Sequence, residues 1–396
     1  MRPLMICRQF LPIANGTELQ AAALARELGR LKHPVRVVAG RFDPRWPERE
    51  AIEGVEVVRL PSPRRRLAGT WVYLRALRRY LLAEAAHFDV VHAHFAKHSA
   101  ALAARLSRRM GRPVVCKAAC AGEFGDLAAA RRTVLPRRLL GGLMKLDRLI
   151  ALSDEVAAEW IGAGFPAQRI ARIPNGVDTE RFRPAREGER LSIRRALGLP
   201  SDATIILGVG RLERQKGFAS LIEAAGRARN GGRLHVALAG EGALRDELGR
   251  LAQSRSLTGR VHFLGRLAAI EEAYRAADLF VLASVGEGMS NALLEAMASG
   301  LDVVAGRVSG VEPLVRDGQN GLLAEPGSVE SLAAAIERWL AGERGRFGAG
   351  ARAAVEAGFT LRAVAEKTLK LYEEVVAERA RGAAGAPIAL RGSAAP

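Results

Sequence analysis

Two glutamates, Glu287 and Glu295, lie on either side of a segment whose residue types suit phosphate binding. The apolar run 279–283 before it predicts a strand buried on both faces of a parallel sheet. A loop with two glycines follows, and Ser290 or Asn291 would cap the next helix. A strand, a glycine loop and a helix in this order direct backbone N–H groups and the positive end of the helix dipole at one spot, which favours a phosphate.

The two carboxylates indicate what accompanies that phosphate. Like charges repel, so neither glutamate should face the phosphate itself. A carboxylate is a pure acceptor and can take both hydroxyls of a vicinal diol. Taken singly, each glutamate would more simply be a solvated surface residue. Their pairing with a phosphate-type loop instead favours a ligand with phosphates in the middle and a sugar at each end, which is a nucleotide-sugar.

A second loop places cations at the end of another strand. The strand predicted at 204–209 leads into Gly210-Arg211, and Lys216-Gly217 precede the next helix. The guanidinium fork of Arg211 and the point charge of Lys216 would together neutralise a diphosphate. Solvated loop cations are the simpler alternative when this loop is considered alone. The run 239–242 follows a further predicted strand with the same geometry.

The elements that must position these loops alternate between strand and helix. Leu4–Cys7 predicts a first strand, 17–32 a helix with Thr17 and Gln20 spaced as a capping box, and 35–39 the next strand. This βαβ opening predicts a Rossmann-like domain whose ligands lie at the carboxyl ends of its strands.

The β/α rhythm breaks once, at Ile173–Pro184, where prolines and an Asn-Gly pair replace any helical period. Such a stretch predicts a linker or domain edge, and the rhythm restarts beyond it. A chain of 396 residues also exceeds the size at which one core usually keeps growing. We therefore predict two β/α domains, a last helix over 361–378 and a tail over 381–396 whose composition predicts disorder.

Composition narrows the class of protein. The chain is 49% hydrophobic and 26% charged, which is typical of a soluble globular protein. No apolar run approaches the roughly 18 residues that span a bilayer, and the N-terminus predicts a strand rather than a signal peptide. Three cysteines, Cys7, Cys116 and Cys120, lack metal-site spacing, so we expect reduced thiols in a cytoplasmic protein.

The positive charge is concentrated in one half of the chain. Residues 1–200 carry 36 Lys and Arg against 19 Asp and Glu, a net charge of +17 out of +18 for the whole chain. A codon bias towards arginine would place arginines on solvated faces without any function, but it would not by itself concentrate the excess of positive charge in one half of the chain. The split favours docking on an anionic membrane surface. We expect no nucleic-acid partner, because no recognition motif and few aromatic residues accompany the basic clusters.

Several motifs, taken together, resemble the retaining GT-B glycosyltransferases of family 4 in order and spacing. They are Ile173-Pro-Asn-Gly-Val-Asp178, Gly210-Arg211-Leu…Lys216-Gly217, Ala239-Gly-Glu-Gly242, Phe263-Leu-Gly265 and Glu287-x7-Glu295. The resemblance implies two Rossmann-like domains facing across a cleft. It divides the chain into an acceptor-binding domain, a nucleotide-sugar-binding domain, a crossover helix returning to the first domain and the tail, with bounds 1–185, 186–358, 359–380 and 381–396.

The resemblance also implies roles for individual residues. Arg211 and Lys216 would hold the donor diphosphate, Glu287 the transferred sugar and Glu295 the ribose hydroxyls. No metal or other cofactor is expected, because protein cations replace a metal at the leaving group. The remaining donor-binding residues that it implies are Gly16, Glu241, Gly242, Leu264, Arg266, Gly288, Met289, Ser290 and Asn291.

This chain departs from the family pattern in two places. The first loop carries Gly16 alone where relatives usually have a glycine pair. The segment 117–122 lacks the histidine that often faces the donor sugar. His94, at the end of the strand predicted over 88–94, is a candidate substitute, although a histidine in such a place is more often simply packed.

These observations lead to one functional expectation with two alternatives. We expect a cytoplasmic, retaining hexosyltransferase that moves a sugar from a UDP- or GDP-sugar to a glycan or lipid-linked acceptor in envelope or exopolysaccharide synthesis. The alternatives are a nucleotide-sugar epimerase of the same fold and a catalytically degenerate sugar-binding protein. The sequence does not name the sugar, the base, the acceptor, the linkage or the oligomeric state.

Overall fold

The chain folds around two separate, largely parallel β-sheets, as a computed structural model describing residues 1–13, 15–64, 66–228 and 233–384 shows. Within the described residues the first sheet has eight strands in the order β3-β4-β2-β1-β5-β6-β7-β8, of which only β3 runs antiparallel to its neighbour. These strands are β1 Pro3–Ile6, β2 Arg36–Arg41, β3 Arg49–Ile52, β4 Val55–Pro61, β5 Val90–Ala93, β6 Val114–Ala118, β7 Arg148–Ala151 and β8 Ile170–Arg172.

Helices cover both faces of this first sheet, as buried parallel strands require. They are α1 Gly16–Arg30, α2 Arg66–Ala83, α3 His98–Met110, α4 Asp126–Arg131, α5 Pro136–Leu143 and α6 Asp154–Gly162. On one face Tyr73, Leu77 and Trp160 belong to the apolar core. The sheet order reverses between β1 and β5, so a ligand crevice is expected at the carboxyl ends of these two strands.

In the part of the chain that the structure describes, the second sheet has six parallel strands in the order β11-β10-β9-β12-β13-β14. The strands are β9 Thr204–Val209, β10 Leu234–Ala239, β11 Val261–Gly265, β12 Leu279–Leu282, β13 Asp302–Gly306 and β14 Leu322–Ala324. The helices are α7 Glu189–Ala196, α8 Phe218–Arg227, α9 Arg245–Ser254, α10 Ile270–Ala276, α11 Asn291–Ala298, α12 Val329–Arg338 and α13 Gly348–Glu356. The strand order reverses between β9 and β12, which are followed by the two loops singled out in the sequence.

The last helix, α14 Leu361–Ala384, returns to the first domain. Its apolar side chains, among them Val364, Tyr372 and Val375, join Met5 and Leu28 in one core cluster. The chain crosses between the sheets twice at nearly the same place. There, Val177 N–H donates to the Phe359 carbonyl at 2.9 Å, and Leu361 N–H donates to the Val177 carbonyl at 3.0 Å. The GT-B architecture and the crossover helix predicted from the sequence are confirmed.

The structure corrects several local predictions. Helix α1 begins at Gly16, and the backbone N–H of Asn15 donates to Glu18 Oε2 at 2.9 Å, so the capping box predicted for Thr17 and Gln20 is wrong. Gln20 instead bonds the backbone of Gly176, in the segment where the chain leaves the first domain. Helix α14 extends to Ala384, which overlaps the start of the predicted tail, and residues 385–396 lie outside the described residues.

Candidate functional site

The candidate site lies where the strand order of the second sheet reverses. The loop after β9 carries Lys216, and the loop after β12 carries Ser284 and Glu287. Lys216 Nζ lies 2.5 Å from Glu287 Oε1, and the Ser284 hydroxyl donates to the same oxygen at 2.8 Å. The side chains of Lys216 and Glu287 are 21% and 10% exposed, so this ion pair is shielded but still reachable from solvent. Two residues that are distant in the sequence therefore form one charged centre.

Arg211 does not join this centre in the structure. Its guanidinium forms an ion pair with Glu213 Oε1 at 2.5 Å on the exposed side of the loop. Arg211 is 55% exposed, so its position costs little to change. The structure thus brings Lys216, but not Arg211, to Glu287.

Helix α11 begins at Asn291, four residues after Glu287. Ser290 is the N-cap, and its hydroxyl accepts from the Leu293 N–H at 3.3 Å, which resolves the choice between Ser290 and Asn291. Gly288 is buried, and a Cβ at that position would collide with the Ala119 carbonyl of the first domain. The glycine therefore permits the two domains to approach at the point where the helix dipole is directed.

Glu295 lies on α11 and is only partly exposed. Its Oε2 accepts a hydrogen bond from the buried Tyr274 hydroxyl at 2.7 Å, whereas Oε1 has no partner among the described residues. Burial raises the pKa of Glu295 to about 7, although the hydrogen bond from Tyr274 and the charge of Arg181 oppose the shift. This carboxyl therefore has one oxygen held in place and one available to a ligand.

A chain of polar side chains connects this site to the first domain. Asn291 Nδ2 donates to the Gly16 carbonyl at 3.0 Å, and Asn291 Oδ1 accepts from Asn175 Nδ2 at 2.8 Å. Asn175 in turn accepts from Lys117 Nζ at 2.6 Å. Burial lowers the pKa of Lys117 to about 8. Gly16 and Asn291, both predicted from the sequence, are thus brought together.

Sequence reasoning missed three of the polar residues around the site. Tyr274 gave no signal, because its helical context is that of a core residue. Asn175 lies in the motif 173–178, whose Asn-Gly pair and prolines predict a linker or domain edge and no contact of the side chain. Lys117 ends a buried strand, where an unpaired cation is rare, and that oddity was the available signal. Each contact joins elements far apart in the chain.

Other predicted donor-binding residues surround the same sheet edge. The Glu241 carbonyl accepts from the Leu212 N–H at 2.9 Å, and a Cβ on Gly242 would collide with the Leu212 backbone, so these two loops pack closely. Leu264 is partly buried and packs against the apolar core of the second domain. Arg266 is exposed, and Met289 is buried with its sulfur 3.2 Å from the Asn175 backbone nitrogen.

His94 occupies the interior of the first domain. Its side chain is 1% exposed and stacks on His92 with ring centroids 4.1 Å apart. Burial lowers the pKa of His94 well below its ordinary value, so the ring is neutral. His92 is held by the Tyr372 hydroxyl of α14 at 2.7 Å. In this conformation His94 presents almost no surface to a ligand.

Metal ligation has no candidate in the part of the chain that the structure describes. Within it, no three His, Cys, Asp or Glu side chains converge as metal ligands would. The cysteines Cys7, Cys116 and Cys120 are free thiols.

Two Rossmann-like domains that meet at a phosphate-type helix N-terminus, with a last helix returning to the first domain, define the GT-B class of glycosyltransferase folds. Comparison with known proteins then gives the family. Residues 14–181 match Glycosyltransferase Family 4, and residues 189–354 match Glycosyl transferases group 1. This chain therefore belongs to the family 4 glycosyltransferases, as its motifs predicted.

Individual relatives agree with this assignment. A D-inositol 3-phosphate glycosyltransferase of Actinosynnema mirum is 34% identical over 82% of this chain and 77% of its own length. The protein of the same name from Geodermatophilus obscurus is 33% identical over 68% of this chain, which spans only 63% of that relative. Among solved structures, Anabaena Alr3699/HepE in complex with UDP superposes with a TM-score of 0.78 at 21% identity, covering 94% of this chain and 100% of its own.

Proposed function

We propose that this protein transfers a sugar from a UDP- or GDP-sugar to a glycan or lipid-linked acceptor, with retention of anomeric configuration and without a metal ion. The observation that carries this proposal is the shielded Lys216–Glu287 pair beside the N-terminus of α11, with Glu295 on the same helix. Cation, helix dipole and two carboxylates match the diphosphate and the two sugars of such a donor.

The ion pair suggests how the donor is accommodated. Before binding, Lys216 and Glu287 neutralise each other. The donor diphosphate competes for Lys216, and Glu287 then becomes free to accept hydroxyls of the transferred sugar. Arg211, which is exposed, leaves Glu213 and closes over the diphosphate from the other side of the loop. Negative charge that develops on the leaving diphosphate is thus met by protein cations.

Glu295 and the Gly16–Asn291 contact complete the donor site. The free Oε1 of Glu295 accepts the ribose hydroxyls, while Tyr274 fixes the orientation of the carboxyl. The contact of Asn291 with Gly16 holds the first loop of the acceptor domain beside α11. The acceptor hydroxyl reaches the transferred sugar at this junction.

Binding of the free nucleotide tests the proposal. We expect UDP or GDP, but not all nucleoside diphosphates equally, to raise the thermal unfolding temperature, because a ligand at 100 times its dissociation constant adds about 2.7 kcal/mol to stability. The measurement is a thermal unfolding scan with UDP, GDP, CDP and ADP, each with and without EDTA. EDTA should leave the shift unchanged.

Three results would contradict the proposal. If none of the four diphosphates stabilised the protein, a nucleotide-sugar donor would be ruled out. If the stabilisation disappeared in EDTA and returned with Mg²⁺, nucleotide binding would depend on a metal ion, contrary to the proposal. A donor consumed without any acceptor, with an isomeric nucleotide-sugar as product, would indicate an epimerase in place of a transferase.

We also propose that the protein works in the cytoplasm at an anionic membrane surface. Helices α2 to α5 form a contiguous layer, whose exposed side we call the basic face. Trp71, Val134 and Leu135 are exposed on it by 67%, 79% and 57%. The arginines of the basic face are Arg75, Arg78, Arg79, Arg105, Arg108, Arg109, Arg131, Arg132, Arg137 and Arg138.

The charges of the basic face are nearly unneutralised. Within the described residues, its one ion pair joins Arg132 and Glu123 at 3.6 Å. A basic residue near an anionic surface contributes about 1 kcal/mol, so four or five are enough for reversible binding. Among the described helices, none combines the length and hydropathy needed to cross a bilayer. The attachment proposed here is therefore peripheral and screened by salt.

Co-sedimentation with vesicles measures this attachment. We expect binding that rises with the fraction of phosphatidylglycerol at low salt and falls at high salt. The double variant Arg78→Glu, Arg137→Glu should lose most of it, because about 2 kcal/mol of attraction is replaced by about 2 kcal/mol of repulsion. The matched control is Arg195→Glu, Arg250→Glu, which changes the charge equally on exposed residues of the second domain. Equal binding by both variants, or indifference to lipid charge, would contradict the proposal.

A further inference from the structure

A second concave site lies in the first domain, where the order of its sheet reverses between β1 and β5. It is a cavity of about 490 Å³ lined by residues that follow β1 and β5 and by the start of α2. None of the donor-site residues described above is among the residues that line it. The two sites are adjacent only at the first loop, where Ile13 and Glu18, on either side of Gly16, line the cavity. Crevices at such reversal points are where ligands bind in open parallel sheets. The function of the donor site leaves this cavity unassigned.

Arg8 projects into the cavity with half of its side chain buried. Its Nε donates to the Ser62 hydroxyl at 3.2 Å, and its Nη1 donates to the Thr70 hydroxyl at 2.8 Å. The guanidinium also lies over the rings of Phe42 and Tyr73, at 5.8 and 5.4 Å from their centroids. Neutral hydroxyls and rings orient the cation but do not neutralise it, and among the described residues no carboxylate lies within ion-pair distance.

Lys97 brings a second cation to the same cavity. Its ammonium lies 4.5 Å from the centroid of the Phe95 ring and, in the described part of the chain, forms no ion pair. The buried carboxylate of Asp126 attracts Lys97 from a distance but accepts the Ala119 N–H at 2.7 Å. Lys97 is also the N-cap of the 13-residue helix α3, and no side chain caps that terminus. The positive end of α3 is therefore added to the two cations.

The charges that line the cavity do not balance. Arg64 is exposed at its edge, and His98 begins α3 beside Lys97. The one carboxylate of the lining is Glu18, whose Oε2 already accepts the Asn15 N–H at 2.9 Å. A half-buried cation without a counter-ion is costly, and burial accordingly lowers the pKa of Arg8. The missing counter-ion is expected from a ligand.

We infer that this cavity binds a phosphoryl group carried by the acceptor substrate, an inference that rests on the glycosyl transfer proposed above. A guanidinium fork, an ammonium and an uncapped helix N-terminus converge as a tetrahedral dianion requires. The cavity borders α1, whose first residue, Gly16, contacts Asn291 of the donor domain. A phosphate held by Arg8 and Lys97 thus leaves the attached sugar or polyol directed at the transferred sugar.

Binding of phosphorylated probes by the intact protein tests this inference. Titration of inorganic phosphate and of glycerol 3-phosphate, followed by ³¹P nuclear magnetic resonance, should give saturable binding. Arg8→Gln and Lys97→Gln should each weaken it by about tenfold or more, as expected for loss of a charged hydrogen-bond partner. Acetate should bind much more weakly than phosphate. Arg137→Gln, an exposed arginine of the basic face, is the matched control and should bind as the unmodified protein does.

A second pair of probes distinguishes two sources of the phosphoryl group, a soluble phosphorylated acceptor and a lipid headgroup. Glycerol 3-phosphate competing with bound phosphate in solution indicates a soluble phosphorylated acceptor. Competition only by vesicles that contain phosphatidic acid, and not by phosphatidylcholine vesicles, indicates a lipid headgroup. Competition by either probe supports the inference, and competition by neither overturns it.

Two controls distinguish loss of the phosphate site from loss of folding and from failure of the donor site. The UDP- or GDP-dependent thermal shift should persist in Arg8→Gln and Lys97→Gln, because neither residue touches the donor site. Phosphate affinity that is unchanged in both variants, or that falls equally in Arg137→Gln, overturns the inference. Failure of every nucleotide to stabilise the unmodified protein would instead overturn the proposed function, whatever the phosphate titration shows.

Discussion

Replacing Lys216 with alanine is expected to lower kcat by about 10²–10³-fold, the usual effect of removing one group that stabilises developing charge. Lys216 is the cation that the fold holds at the centre of the proposed donor site, 2.5 Å from Glu287 and 21% exposed. In the proposed mechanism its charge stabilises the leaving diphosphate mainly in the transition state, so kcat should fall more than nucleotide affinity. The measurement is the initial rate at saturating donor, with nucleotide affinity determined in parallel.

Glu287→Gln should lower kcat in the same way, because the neutral amide accepts the hydroxyls of the transferred sugar less strongly than a carboxylate does. The amide also keeps a hydrogen-bonding group within reach of Ser284 and Lys216, so loss of fold is not expected. The effects of the two substitutions should be less than additive, because each removes one half of the same pair. Lys367→Ala, at an exposed lysine of α14, is the control. A Lys216→Ala enzyme with unchanged kcat would contradict the assigned role.

Glu295→Ala is expected to weaken nucleoside diphosphate binding by about tenfold or more. A hydrogen bond to a charged acceptor contributes about 1.5–3 kcal/mol, and the free Oε1 of Glu295 is the proposed acceptor for the ribose. Isothermal titration with the nucleotide that stabilises the protein measures the effect. Glu247→Gln, an exposed glutamate in the first turn of α9, should leave the affinity unchanged. If Glu295→Ala bound the nucleotide with unchanged affinity, Glu295 would not be a ribose-binding residue.

The raised pKa of Glu295 adds a pH dependence with a definite sign. In the free protein its pKa is about 7, so the carboxyl is largely neutral at pH 6 and largely ionised at pH 8. In the proposed binding mode the ribose hydroxyls donate to the ionised form, so binding lowers this pKa, and affinity should rise with pH over that interval. The nucleotide phosphate also titrates, and the informative quantity is therefore the affinity ratio between the unmodified protein and Glu295→Gln. A ratio that does not change between pH 6 and pH 8 would contradict the assignment.

Local sequence determined much of the architecture. Apolar runs such as 279–283, followed by a glycine loop and a capped helix, predict a buried parallel strand and a helix N-terminus without knowledge of any partner. The resemblance to family 4 implied that Lys216 and Glu287 contact the same donor, and the structure places them 2.5 Å apart. Five motifs in order predicted the family, which the comparisons confirmed.

Short or irregular elements were harder to predict. The edge strand β3 is antiparallel and half exposed, and the helix α7 follows the linker without a clear apolar period. Helix α1 starts at Gly16 because Asn15 and Glu18 cap it, although Thr17 and Gln20 have equally suitable residue types. Gln20 is used elsewhere, in a contact with Gly176 that only the folded chain creates.

Only the tertiary structure decided which charged groups meet. Sequence treats Arg211 and Lys216 alike, since both flank the same loop, yet Lys216 pairs with Glu287 while Arg211 pairs with its neighbour Glu213. It cannot give the pKa of Glu295, which follows from burial beside Tyr274. Residue type and local period are properties of a few consecutive positions, and these sufficed for the elements and the family. Rotamers, burial and contacts between domains depend on residues brought together from the whole chain, and these determined the site.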